Sequence, residues 1–186
     1  MSSAPSALGL SLFQRKPIPY FNKLRVEKVV TISAYPRLIM LDERISVAPM
    51  MEMTDNHCRG LLRGMTKKTV LYTEMVVDDT VNHVDNTGLD FFIGRNIDAA
   101  PSVIQLGGSN PETLAQAAYL CEQYGNGYGE INLNCGCPSE RVSKTCFGAQ
   151  LMLDPELVRQ IVSSMRRQVS LPITVKCRIG ADDRDS

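Results

Sequence analysis

The chain has 186 residues, 44% of them hydrophobic and 22% charged, which is enough for one globular domain with a sizeable core. Twenty Lys and Arg balance twenty Asp and Glu, so net charge gives no sign of a general binder of nucleic acid. No apolar run reaches the length that spans a bilayer, which argues against an integral membrane protein.

The charge is unevenly placed. Residues 1–41 carry Arg15, Lys16, Lys23, Arg25, Lys28 and Arg37 against Glu27 alone, with Ser2, Ser3, Ser6 and Ser11 among them. A basic, serine-bearing, acid-poor leader fits an organelle transit peptide (mitochondrial or plastid). It equally fits a disordered N-terminal extension of a cytoplasmic protein. Residues 1–41 are therefore expected to lie outside the domain, and residues 42–186 to form it.

From there, short apolar runs alternate with helical patterns. Ile45–Met50 reads as a strand that ends at Pro49, where the ladder loses a donor. Thr54-Asp55 supplies capping chemistry for a helix reaching about Met65. Val70–Met75 is β-branched and aromatic and reads as a second strand. Residues 78–100 are mixed, with weak periodicity. Val103–Leu106 is a third strand, closed by Gly107-Gly108. Asn110-Pro111-Glu112 opens a helix whose Leu114, Ala117, Ala118 and Cys121 recur at core spacing. Gly129–Leu133 is the fourth strand. Asp154-Pro155-Glu156 repeats the helix-opening signal, and Leu157, Ile161, Val162 and Met165 line the buried face that follows. Pro172–Lys176 is the fifth strand.

Strands alternating with helices imply parallel pairing. No GxGxxG follows a strand, which argues against a dinucleotide-type sheet. Polar residues at each strand end favour a (β/α)8 barrel, which needs eight strands and typically about 250 residues. The chain thus reads as an incomplete TIM barrel with about five parallel strands.

In such folds, chemistry sits at the carboxyl ends of the strands. The segment Ile131-Asn-Leu-Asn-Cys-Gly-Cys-Pro138 places the Cys137 thiol just past one of them. A thiol held there by glycine and proline is a candidate for proton transfer or nucleophilic attack; a cysteine merely packed in a turn is the competing reading. The other strand ends carry Pro49, Met50 and Met51, then Glu74 and Met75, Gln105, Asn134, Lys176 and Arg178. An amide, a thiol, an ammonium and a guanidinium among methionines suit a flat hydrogen-bonding cofactor better than a metal. The six cysteines contain no CxxC, and His57 and His83 have no HxxxH partner, so no metal site is expected.

These residues fall into an ordered set: Val47-Ala-Pro-Met-Met51, Thr54-Asp-Asn-His-Cys-Arg59, Leu71-Tyr-Thr-Glu-Met75, Gln105-Leu-Gly-Gly108, Glu130-Ile-Asn-Leu-Asn134, Gly136-Cys-Pro-Ser139, Phe147-Gly-Ala149 and Val175-Lys-Cys-Arg-Ile-Gly180. In order and spacing the set resembles the tRNA-dihydrouridine synthases, most closely their A subfamily. The resemblance implies FMN as cofactor, NADPH as reductant, and tRNA as substrate, with D-loop uridine 20 or 20a reduced to dihydrouridine. It implies no membrane, no metal and no oligomer.

Residue by residue, Cys137 matches the cysteine that protonates uracil C5. A free thiol titrates near ~8.5, so it carries a proton to give at neutral pH. Pro49, Met50 and Met51 match the segment packed on the flavin. Gln105 matches the amide at the ring's pyrimidine edge. Lys176 matches the lysine near flavin N1 and O2, where reduction places negative charge. Asn134 matches a contact to the target nucleotide, and Arg178 matches support of that site or of phosphate. Two alternatives stay open: a shortened, non-catalytic remnant of the family, or another FMN-dependent barrel oxidoreductase. The later barrel strands and the C-terminal helical tRNA-binding domain of the family have no counterpart in the 186 residues, so weak FMN binding, poor catalysis and an unpaired sheet edge after the fifth strand are expected. Cys135 and Cys146 lie near Cys137 in sequence. A redox pair with it, or simple packing, would both account for them.

Overall fold

A computed structural model of the chain describes residues 28–31 (by backbone alone), 45–94, 101–125, 127–138 and 147–180. Its sheet has six strands: β1 (Lys28–Thr31), β2 (Ser46–Val47), β3 (Val70–Val77), β4 (Ser102–Gly107), β5 (Glu130–Cys135) and β6 (Ile173–Cys177). Strands β2 to β6 are parallel, and each lies beside its sequence neighbour. A doubly wound sheet reverses its strand order at a switch point. This one never does, so the five form part of a barrel wall.

Helices join the strands. They are α1 (Asn56–Met65), α2 (Asp78–His83), α3 (Asn86–Leu89), α4 (Pro111–Tyr124) and α5 (Pro155–Gln168). Three begin as the sequence signals require. Asp55 accepts from Cys58 N at 2.8 Å, Asn110 from Glu112 N at 2.8 Å, and Asp154 from Leu157 N at 3.0 Å. Each such cap stabilises its helix by about 1 kcal/mol. Leu114, Ala117, Ala118 and Cys121 of α4 are buried with Ile161, Val162 and Met165 of α5, against Ile104, Leu106, Ile131 and Leu133 of the sheet. Leu157 packs at the margin of that core. Burying each large side chain contributes about 1.5–3 kcal/mol.

Three features depart from the sequence reading. The first strand is short, Ser46–Val47, because Pro49 cannot donate and the chain turns at Met50, whose carbonyl accepts from Met53 N and Thr54 N. Residues 78–94 hold α2, α3 and a π-helical turn (Asp90–Gly94), which weak periodicity concealed. Lys28–Thr31, assigned to a leader outside the domain, pairs antiparallel with β6 from Lys28 opposite Cys177 to Thr31 opposite Thr174. The physical reason is the exposed edge: unpaired N–H and C=O groups of β6 meet a segment bearing Val29, Val30 and Thr31, good strand formers. The edge expected to be unpaired after the fifth strand is therefore covered along Thr174–Cys177.

Arg63 fastens the barrel's lower rim. It is buried and donates to the carbonyls of Thr66, Thr69 and Pro101 at 3.2, 3.0 and 2.7 Å. Arg59 is buried too, donating to Thr54 O at 2.8 Å and Asn56 Oδ1 at 2.5 Å. A guanidinium can be buried in this way because it donates to several oxygens at once.

Candidate active site

The alternation within β5 sorts its side chains. Ile131, Leu133 and Cys135 join the helix-side core, so Glu130, Asn132 and Asn134 face the inside of the wall. On β6, Val175 joins the same core, leaving Thr174 and Lys176 inside. On β4, Ile104 and Leu106 point to the helices and Gln105 points inward. A small apolar group, Val70, Tyr72 and Val103, fills the inner face at the other end of β3 and β4. On β3 and β4 the inner face is thus apolar toward the amino ends, while β5 and β6 keep it polar along their length.

Gln105, Asn134 and Lys176 meet in that polar layer. Asn134 and Lys176 are register partners on adjacent strands. Asn134 Nδ2 donates to Gln105 Oε1 at 3.0 Å. Asn134 Oδ1 accepts from the backbone N–H groups of Gly136 and Cys137, both at 3.0 Å. The turn that presents Cys137 is thereby fixed to the sheet. Cys137 O accepts from Ala149 N at 3.0 Å, and Arg178 Nε donates to Gly136 O at 2.8 Å. The Cys137 thiol is partly exposed. Half-burial pushes the Lys176 ammonium below its ordinary value, with Arg178 adding to the effect and Cys177 opposing it.

Asn134 has two N–H groups and two lone pairs. Gln105, the Met75 sulfur at 3.2 Å, Gly136 and Cys137 occupy all four. Gln105 is 1% exposed, and its side chain makes two bonds, to Asn132 and Asn134, which leaves one N–H and one lone pair.

A bulge in β3 shapes the neighbouring wall. Register shifts between Tyr72 and Met75, and Thr73 Oγ1 takes the Gln105 backbone N–H at 3.1 Å. Such a bulge re-aims the following side chains. Glu74 Oε1 accepts from Glu52 N at 2.5 Å, tying the β2–α1 loop to β3. Glu52 has φ of 62°, a left-handed conformation that this bond helps to hold. The same loop carries Pro49, half-buried, and the exposed Met50 and Met51. This trio lies on the β2–α1 loop, whereas Gln105 and Lys176 lie on β4 and β6. Met51 shares a cleft of about 410 Å³ with Met75, whose sulfur touches Asn134. Met75 also crosses Gly107: a Cβ there would lie 2.6 Å from its sulfur, so a side chain at this position would have to displace Met75.

Cys135 lies on the opposite, helix-facing side, and burial pushes its thiol up to about 12. That is the packing reading, not a redox partner for Cys137. Cys146 lies outside the described residues. Cys121 is core, its thiol also raised by burial. Among the described residues, no three His, Cys, Asp or Glu side chains gather as metal ligands, and no helix is long and apolar enough to cross a membrane.

Sequence reasoning missed Glu130, Asn132 and Thr174, which continue the polar layer below Gln105. The signal was present in the strict polar–apolar alternation of Glu130-Ile-Asn-Leu-Asn134. It also missed Asp78, buried at the end of β3. Asp78 accepts from Thr113 Oγ1 at 2.5 Å and from Asp79 N at 2.9 Å, and burial raises its carboxyl.

Comparison with known proteins matches this architecture. The family model described as "Dihydrouridine synthase (Dus)" matches residues 46–186. A Vibrio parahaemolyticus protein named tRNA-dihydrouridine(20/20a) synthase is 52% identical over 143 residues, covering 77% of this chain and 42% of its own length. Proteins of the same name from Escherichia coli K12 and Xanthomonas campestris are 46% and 51% identical, over 87% and 76% of this chain and 46% and 41% of theirs. The chain thus spans less than half the length of these relatives. The matched region holds every element from β2 to β6 and the whole Asn134–Cys137 turn, and the chain belongs to the dihydrouridine synthase family.

Proposed function

We propose that the chain provides the flavin-facing and proton-donating part of a tRNA-uridine reductase acting on D-loop uridine 20 or 20a. The observation that carries this is the Asn134–Cys137 turn. It holds a partly exposed thiol at the carboxyl end of β5, beside an inward amide and an inward ammonium.

The residues suit FMN. Met50 and Met51 offer an exposed apolar surface, Gln105 keeps one donor and one acceptor for a ring edge, and Lys176 supplies a cation for the pyrimidine side. A flavin held there would supply hydride chemistry, from NADPH to uracil C6. Cys137 gives its proton to C5, so the C5–C6 double bond becomes single and the thiolate is reprotonated from solvent. Asn134 orients the turn and meets the target uracil by exchanging its weak contact with the Met75 sulfur. Arg178 holds the Gly136 carbonyl and directs its remaining N–H groups to the RNA. Lys176 would hold the cofactor's pyrimidine side and offer a fixed ammonium to negative charge there, with no reorganisation needed.

FMN titration tests the cofactor assignment. Quenching of flavin fluorescence should saturate with the wild-type chain and weaken on the order of tenfold or more in Gln105→Leu and in Lys176→Met, which remove polar contacts to the ring. Unchanged affinity in both variants would refute the assignment.

A further inference from the structure

Five side chains on three strands form one directed chain of hydrogen bonds. Asn134 Nδ2 donates to Gln105 Oε1 at 3.0 Å. Gln105 Nε2 donates to Asn132 Oδ1 at 2.8 Å. Asn132 Nδ2 donates to Thr174 Oγ1 at 2.8 Å. Thr174 Oγ1 donates to Glu130 Oε1. All five residues are buried, Asn132 and Thr174 completely.

Three carboxamides in series could in principle run in either sense, since each can rotate by half a turn. The ends remove that freedom. At the upper end, Asn134 Oδ1 faces the backbone N–H groups of Gly136 and Cys137, which can only donate. Asn134 must therefore present its amino group to Gln105, and each later member must follow. At the lower end the series closes on the Glu130 carboxyl, whose Oε1 accepts from the Thr174 hydroxyl. The two ends agree, so every bond in the series has a donor and an acceptor. Reversing one amide would set two oxygens or two N–H groups against each other inside a buried layer, at the cost of an unsatisfied pair.

We propose that Glu130, Thr174 and Asn132 are positioning residues for the active site. They hold the Gln105 amide in one orientation and, through Asn134, hold the Cys137 turn. Glu130 is the terminal acceptor that makes the orientation self-consistent. The consequence for the reaction rests on the reading of Cys137 as proton donor and Gln105 as flavin contact. The orientation itself does not.

The chain's direction can be read on the flavin-free, wild-type protein by NMR. Couplings across hydrogen bonds should link Gln105 Nε2 to the Asn132 side-chain carbonyl carbon, and Asn134 Nδ2 to that of Gln105. Coupling in the opposite sense, Asn132 Nδ2 to the Gln105 carbonyl carbon, would overturn the proposal, as would the absence of both. A second measurement tests transmission. Thr174→Val keeps the shape and removes the hydroxyl, so Gly136 and Cys137 backbone amides should exchange with solvent about tenfold faster, the worth of one buried hydrogen bond. Thr174→Ser, which keeps the hydroxyl, should restore the wild-type rate. Equal protection in wild type, Val and Ser variants would show that the lower chain does not reach the Cys137 turn. Neither measurement uses flavin or tRNA, so failure here leaves the reductase reading standing, and loss of that reading leaves these bonds in place.

Discussion

Asn134 and Cys137 are joined by a 3.0 Å hydrogen bond from the Cys137 backbone N–H to the Asn134 side-chain oxygen. The same oxygen takes Gly136 N at the same distance. One strand-end amide therefore sets the position of the thiol. Asn134→Ala removes that acceptor and the donor to Gln105. A buried group left unsatisfied costs about 1–3 kcal/mol, so the variant should lose about 2–4 kcal/mol of stability. Urea unfolding measures this; a loss below about 1 kcal/mol would mean that water replaces Asn134 at the turn.

Lys176 couples the site to pH. Its folded value lies below the ordinary one because half-burial disfavours the charged form. A lysine depressed on folding contributes stability that is present above the unfolded value, about 10.4, and lost as pH falls through the folded one. At neutral pH the wild-type chain therefore carries a penalty. Lys176→Met should raise the melting temperature by a few degrees at pH 7, and the gain should shrink as pH approaches 10. A variant less stable than wild type at pH 7 would show that the ammonium's contacts outweigh its desolvation.

The cysteines should differ in reactivity by position. Cys121 and Cys135 are buried, and burial raises both thiols, Cys135 to about 12. Cys58 and Cys137 are partly exposed. Iodoacetamide at pH 8, followed by peptide mass spectrometry, should label Cys137 and Cys58 while Cys121 and Cys135 stay intact until the protein unfolds. Labelling of Cys135 as fast as Cys137 would contradict the helix-side placement of Cys135.

The parts of this protein legible in the sequence share a local cause. Asp55, Asn110 and Asp154 announce their helices because capping depends on neighbours within one turn. The β-branched run at Val70 and the alternation at Glu130–Asn134 mark strands for the same reason. Cys137, Gln105, Asn134 and Lys176 could be gathered because parallel strands deliver their ends to one rim, and the ordered motifs supplied the register. What was not legible depends on distant partners. The Lys28–Thr31 strand forms only because β6 offers an edge. Arg59 and Arg63 look like surface charges until the carbonyls of Thr54, Thr69 and Pro101 surround them. Thr174 and Glu130 seem unremarkable 44 residues apart until adjacent strands bond them.

The most direct test of the account is Cys137→Ala assayed on unmodified tRNA with FMN and NADPH. Dihydrouridine at positions 20 and 20a is read by mass spectrometry, and NADPH oxidation by absorbance. Placed in a full-length context, the variant should bind FMN and oxidise NADPH as its parent does, while dihydrouridine formation falls by on the order of a hundredfold or more, the usual share of a positioned general acid. Dihydrouridine formed at the wild-type rate, or equal loss of both activities, would contradict Cys137 as the proton donor.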